Sequence, residues 1–381
     1  MIYLDNAATS WPKAPGVAEA MARFLQEEAG NPGRSGHRLA RAAAHRVEAA
    51  RRALARLLGV SPPERIVFTL NTTDALNLAL KGLLRPGDHV ITSSVEHNSV
   101  TRPLRALADE GVQVTKVPCF GDGTVDVEAL SRAFRPNSRL VVLTHASNVT
   151  GAIQPVAEVA RLAHEAGAWF LVDGAQTVGA LPIRVADLGA DLLAFPGHKG
   201  LLGPTGTGGL YVGPGVELRP SREGGTGTAS EMETQPPDLP HRLESGTPNT
   251  VGLAGLGAAL EYVEARGVED IRQHEMALVQ ALREGLREVP GLRLYGPEEP
   301  EHSAGAVSFT LPGLEPAEVA AILDATFDVA VRPGLHCSPD AHRTLGTFPL
   351  GTVRLSVGPF NTLDEVHEAV ACVAQIAHTA A

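Results

Sequence analysis

Cysteine is scarce: the 381 residues hold three, Cys119, Cys337 and Cys372. Three thiols build no paired framework, which argues against a disulfide-stapled fold and makes a reducing cytoplasm the expected setting. Positive charge is short as well. Lys and Arg total 32 against 43 Asp and Glu, a formal net charge of −11. Phosphate backbones need a basic surface, so a nucleic-acid partner is not expected. A small anion stays open, because a pocket can be positive on an acidic chain. No apolar run is long enough to span a membrane, and MIYLDNAATSWPK lacks the basic start and apolar core of a signal peptide. There is no internal repeat. GxGxxG and GxxxxGK[ST] loops are missing, which removes the usual nucleotide signatures.

What the chain does have is alternation. ERIVFT (64–69), DHVITS (88–93), VQVTKVP (112–118), RLVVLTHAS (139–147), AWFLVD (168–173), DLLAFP (191–196) and GGLYVG (208–213) read as strands. Amphipathic helices such as 73–84, 100–111 and 155–167 lie between several of them. Short apolar β-branched runs alternating with helices predict an α/β fold with a mainly parallel sheet covered on both faces. After about residue 245 the pattern changes to a smaller α+β lobe. It has a helical stretch from Val251 to Val289 broken near Arg266-Gly267, then strands at 292–296, 306–311, 329–334 and 352–357, and a last helix from Leu363 to His378. The segment 217–250 is rich in Gly, Pro, Thr and Glu. Loops of that length are usually functional or disordered.

Ligands of such sheets sit at the carboxyl ends of the strands. The polar clusters fall there: NTTDA, EHNS, HASNVTG, DGAQ and PGHKG. Lys199 stands between an apolar strand and a run of glycines. A loop lysine needs no role, but a desolvated one in a cationic setting loses its proton and forms Schiff bases with aldehydes. His198 and the glycines of GLLGPTGTGG would let backbone approach a phosphate. Asp173, at a strand end, is either a helix cap or the carboxylate that keeps a pyridine nitrogen protonated. Gln176 could bond a phenolic oxygen on the same ring. Thr72 and Thr73 open a helix, where free N–H groups and hydroxyls hold an anion or merely cap. His97 is either polar surface or a stacking partner for an aromatic ring.

With these residues in chain order, the sequence resembles the class V aminotransferase family of pyridoxal-phosphate enzymes, fold type I, and within it the cysteine desulfurases. The resemblance rests on YLDNAATS (3–10), NTTDALN (71–77), EHNS (96–99), HASNVTG (145–151), VDGAQ (172–176), GHKGLLGPTGTGGLYV (197–212), ESGTPNT (244–250) and VRLSVGPFNT (353–362). It implies a large cofactor domain at 15–245 and a small domain from 1–14 and 246–381. It implies pyridoxal 5'-phosphate bound covalently by Lys199, which also moves the substrate Cα proton. Asp173 would meet the ring nitrogen, Gln176 the phenolic oxygen and His97 the ring face. Thr73 and His198 would hold the phosphate, with Thr72 close by. Thr247 would reach the phosphate of a second subunit, so a homodimer is expected. Arg354 would clamp the carboxylate of a cysteine-like substrate, with Asn148 nearby, and a sulfur-acceptor protein is an expected partner.

Two positions depart from the pattern. Pro196 replaces a Ser or Thr that contributes to phosphate binding. Val353 stands where one desulfurase group has its nucleophilic cysteine, immediately before the substrate arginine. The only cysteine of the region is Cys337, in RPGLHCSPDAH. Three readings of it stay open: a small, partly buried residue, a nucleophile on a rearranged loop, or a metal ligand with His336 and His342, at a spacing that fits no standard zinc pattern. Cys119 and Cys372 read as structural. Desulfuration to alanine is the first expectation. β-Elimination by a cysteine or cystine C–S lyase, or a selenocysteine lyase, is the alternative, and a non-catalytic protein on this fold is a third.

Overall fold

The N-terminus is stitched into the far end of the chain. Ile2–Tyr3 (β1) pairs in parallel with Val329–Ala330 (β11), and the terminal amine meets Asp328 at 2.7 Å. The structure, a computed structural model, describes residues 1–33 and 36–380.

Seven strands form the central sheet: Ile66–Thr69 (β2), His89–Ser93 (β3), Gln113–Val117 (β4), Ser138–Thr144 (β5), Trp169–Asp173 (β6), Leu192–Pro196 (β7) and Gly208–Val212 (β8). Their order is β2-β8-β7-β6-β5-β3-β4. Pairing is parallel from β7 to β4 and antiparallel on both sides of β8. The sheet is therefore mixed, with one reversed strand in a mainly parallel array. Leu140 to Leu143 on β5 are fully buried without alternation, as expected of a strand covered on both faces. Each such side chain stabilises the fold by about 1.5–3 kcal/mol through removal from water.

Caps fix where the helices begin. Asn71 accepts from the Asp74 amide at 2.9 Å and opens helix Thr72–Leu83. Asn249 does the same for Thr250–Arg266 through the Gly252 amide at 3.0 Å. That helix ends at Gly267, whose φ of 84° suits glycine, and Val268–Arg287 follows. Helix Thr250–Arg266 puts Leu253, Leu256 and Leu260 into the same core as the sheet residues Phe170 and Phe195. Helix Val268–Arg287 packs Leu278, Val279 and Leu282 against the second lobe.

That lobe holds Arg293–Tyr295 (β9), Ala306–Thr310 (β10), Arg332–Gly334 (β12) and Thr352–Ser356 (β13), in the antiparallel order β12-β13-β10-β9. The stretch 329–334, expected as one strand, divides at Val331: its first half pairs with β1 and its second with β13. Residues 213–249 carry no helix or strand. They are tied down by Glu244, which bonds Arg51 at 2.8 and 3.1 Å and the Phe68 amide at 2.6 Å. No helix among the described residues is long and apolar enough to cross a membrane.

Two glycines of the run are required by packing. A Cβ at Gly208 would lie 2.8 Å from the Asn71 Cα, and one at Gly209 2.5 Å from the Phe195 ring. These glycines let β8 pass close under the start of helix Thr72–Leu83. At these positions a side chain has no room.

Candidate active site

Five strand ends converge. After β2 comes Thr72, whose buried Oγ1 has no partner, and Thr73, whose hydroxyl lies 2.7 Å from Ser99 Oγ. After β3 the chain turns through Glu96 and His97. Glu96 accepts from Ser93 Oγ at 2.5 Å and from the Thr144 amide at 3.0 and 3.1 Å, which ties this turn to β5. His97 Nδ1 accepts the Ser99 amide at 3.0 Å, so its other nitrogen carries the proton. Burial, then the charges of Lys199 and Arg332, hold its pKa down to about 4, and the ring is neutral at physiological pH.

Asp173 ends β6 and is 2% exposed. Its Oδ1 accepts the Ala175 amide at 2.9 Å. Burial raises its pKa, opposed by that bond and by Lys199. Lys199 follows β7. Burial lowers its pKa to about 8, against the pull of Asp173 and with the push of Arg354 and Arg332. An amine with that pKa has a usable unprotonated fraction near neutral pH, which a surface lysine lacks. Gln176 donates to the Ala7 carbonyl at 3.2 Å. His198 lies beside Thr9, Nδ1 to Oγ1 at 3.1 Å.

Arg354 comes from β13 and is 1% exposed. It donates to the Asn148 carbonyl at 2.9 Å and to Asp5 Oδ1 at 2.6 Å, and its Nε has no partner. Arg332 sits directly across from it in the β12–β13 register. Two like charges opposite each other on one sheet face are unfavourable unless an anion joins them. Asp5 supplies one carboxylate here, on Arg354 Nη2. The sequence gives no signal for Asp5 or Arg332, since their meaning depends on pairing across more than 300 residues in one case and on a hairpin register in the other.

Cys337 is exposed, which overturns its reading as a partly buried residue. Its Sγ accepts from Arg332 Nη2 at 3.5 Å. His336 and Cys337 both have positive φ, 48° and 60°, a conformation that side chains resist and surroundings must enforce. Asn148 enforces it: its amide donates to the His336 carbonyl at 2.6 Å, and its Oδ1 accepts from Ser338 Oγ at 2.7 Å. The Asn98 amide adds a bond to the Cys337 carbonyl at 2.8 Å. Asn148 thus links the thiol loop to Arg354. No group of three His, Cys, Asp or Glu side chains among the described residues is arranged for a metal ion, so His336, Cys337 and His342 form no such site. Cys372 is buried and Cys119 partly so. Val353 is fully buried and carries no thiol chemistry. Thr247 is exposed, ahead of helix Thr250–Arg266, and makes no hydrogen bond within the described chain.

Behind Lys199 and Gln176 lies a cavity of about 40 Å³, lined also by Ser10, Ser147, Ser356 and Glu275. Glu275 is 5% exposed, and burial outweighs Arg272 and Arg266 to raise its pKa from 4.5 to about 8. Between those two pH values the folded state keeps a proton that the unfolded chain has released, so stability falls as pH rises through this window. Glu275→Gln is expected to match the wild type near pH 4 and to exceed it by roughly 1–3 kcal/mol above pH 8, read by urea unfolding. A constant difference across that range would show that Glu275 does not titrate this way.

A lysine of lowered pKa facing a buried carboxylate at the strand ends, with an arginine pair beside it, defines a class of amino-acid-handling α/β enzymes. The chain belongs to the class V aminotransferase family, whose model matches residues 2–368. It is 38% identical to a probable cysteine desulfurase of Methanothermobacter thermautotrophicus, covering 96% of this chain and 92% of that one. It is 36% identical to a cysteine desulfurase of Pectobacterium atrosepticum, covering 99% and 93%. Among solved structures, the apo cysteine desulfurase of Thermococcus onnurineus superposes with a TM-score of 0.93 at 36% identity, over 99% of this chain and 95% of that one. Enzymes of this family depend on pyridoxal phosphate. The residues present fit that group: an unpartnered Thr72 hydroxyl at a helix start, a desolvated Asp173 and a deprotonatable Lys199.

Proposed function

We propose that this chain is a cysteine desulfurase that removes sulfur from L-cysteine, leaves L-alanine and passes the sulfur through a persulfide on Cys337 to an acceptor protein. The observation that carries this reading is the exposed Cys337 thiol beside Arg332, on a turn bonded through Asn148 to Arg354. Pyridoxal phosphate, when bound, supplies a ring that accepts the electrons left at the substrate Cα.

The chain's own residues do the rest. Lys199 holds the cofactor and carries the Cα proton. Asp173 keeps the ring nitrogen protonated, Gln176 meets the phenolic oxygen and His97 covers the ring face. Thr72, Thr73 and His198 hold the phosphate, and Thr247 of a second copy completes it in a homodimer. Arg354 exchanges Asp5 for the substrate carboxylate, a task suited to its fork. The Cys337 thiolate attacks the substrate sulfur: an S–S bond forms, the Cβ–S bond breaks, and the electron pair left on Cβ takes up a proton. A cytoplasmic setting is part of the proposal.

A second reading, β-elimination from cysteine, cystine or selenocysteine, is favoured by one observation: the residue before Arg354 is the buried Val353. Product analysis separates the two. With L-cysteine under reducing conditions, alanine should match sulfide, and Cys337→Ser should lose at least about 10²-fold in alanine release. Pyruvate and ammonia with little alanine, unchanged in Cys337→Ser, would replace the desulfurase reading by elimination.

A further inference from the structure

The turn that carries Cys337 has one exposed side chain between two buried ones. His336 and Ser338 are both buried, and Cys337 stands between them in solvent. Ser338 has no role in the chemistry given above, yet its hydroxyl lies 2.7 Å from Asn148 Oδ1. Its amide donates to the Leu335 carbonyl at 2.8 Å, which closes the turn on the other side.

The direction of each bond follows from which groups can donate. The His336 carbonyl only accepts, so the Asn148 atom 2.6 Å from it is the amide nitrogen. The same amide plane then presents Oδ1 to Ser338. Oδ1 only accepts, so the hydroxyl is the donor. Turning the amide over would set two acceptors 2.6 Å apart. The Asn148 main chain has a separate task, because its carbonyl accepts from Arg354 Nη1 at 2.9 Å. One residue thus places both the arginine and the turn of the thiol.

Removing the Ser338 hydroxyl leaves Oδ1 without a donor among the described residues, on a buried side chain. An unpaired buried acceptor is costly. The amide relieves that cost by rotating, and rotation gives up the His336 carbonyl. The two left-handed residues, His336 and Cys337, then lose a bond that enforces their backbone. Sγ is freed from its place 3.5 Å from Arg332 Nη2.

We infer that Ser338 is a positioning residue for the Cys337 thiol, acting through the Asn148 side chain to hold Sγ in register with a substrate on Arg354. This role rests on the reading of Cys337 as the nucleophile of the proposed desulfuration.

The test runs two reactions on the cofactor-loaded enzyme. Single-turnover formation of alanine from L-cysteine needs the thiol. Exchange of the Cα proton of L-alanine for solvent deuterium needs Lys199 and no thiol. Ser338→Ala should slow alanine formation by about 10- to 100-fold, the scale of a reacting atom misplaced by about 1 Å, and leave the exchange rate within about 3-fold. In an Asn148→Ala background the same substitution should cost less than about 3-fold, since the two side chains act as one unit. Unchanged alanine formation in Ser338→Ala would overturn the inference. So would an equal fall in both reactions, the mark of a merely structural residue, or a full loss on top of Asn148→Ala. A wild type that formed pyruvate in place of alanine would instead overturn the desulfurase reading, and the Ser338 role with it.

Discussion

Lys199→Ala lowers alanine release from L-cysteine by about 10³-fold or more, since both covalent attachment and proton transfer at Cα leave with the amine. Lys199→Arg is expected to lose as much. A guanidinium keeps the positive charge opposite Asp173 but does not give up its proton in a protein. The contrast isolates the feature the structure emphasises, an amine whose pKa burial brings down to about 8. The measurement is steady-state alanine release at saturating cysteine, with each variant checked for folding by circular dichroism. An arginine variant that kept a tenth of the wild-type rate would show that charge alone suffices and that Lys199 is not the proton carrier.

Asp173→Asn is expected to move stability and activity in opposite directions. The carboxylate is desolvated and has one backbone donor, so burial raises its pKa. A raised acid pKa means the folded state pays for ionisation at neutral pH, and the amide removes that cost. The cofactor-free variant should be more stable than the wild type at pH 7, with the gain disappearing at low pH, where Asp173 is protonated in the folded and the unfolded wild type alike. Turnover should fall about 10²-fold or more, because an amide cannot hold the ring nitrogen in its protonated form. The Asp173 charge also supports the Lys199 proton, so the lysine should titrate below 8 in the variant. Paired urea unfolding and kinetics decide it. A variant both less stable and less active would point to a packing defect, not to an electrostatic role.

Much of this site is local and therefore legible in the sequence. The strands predict themselves through short apolar runs, and Thr72, Thr73, His97, Asp173, His198 and Lys199 each stand at or just past a strand end. The break at Gly267 follows from its backbone freedom. What stays hidden depends on distant partners. Asp5 has no visible function until β1 lies against β11 and Arg354 turns toward it, 349 residues away. Arg332 becomes a neighbour of Arg354 only through the β12–β13 register. The division of 329–334 at Val331 is equally invisible, because both halves have strand composition and the choice of sheet is made by the partners. Gly208 and Gly209 are a different case: their smallness is legible, but not the close packing at Asn71 and Phe195 that requires it. The helix Arg38–Leu58 shows an apolar repeat at Ala40, Ala43, Val47, Ala50, Leu54 and Leu58. It is legible by period and lies outside the strand-and-loop pattern that organises the rest.

The pairing of β1 with β11 has a consequence for synthesis. The central sheet, residues 66–212, is complete long before the ribosome reaches Val329. Ile2 and Tyr3 must wait for Val329 and Ala330. Until then Asp5 has no arginine, and Ile2 and Leu4, both buried in the finished lobe, have no core to enter. Domains fold as units during translation, so the sheet that carries Lys199 has all its strands while Arg354 is still unmade. The Lys199 amine is thus kept without the Asp5–Arg354 pair until residues 329–356 are made. Residues 66–212 supply the strands of the sheet, and residues 329–356 bring the second lobe to it.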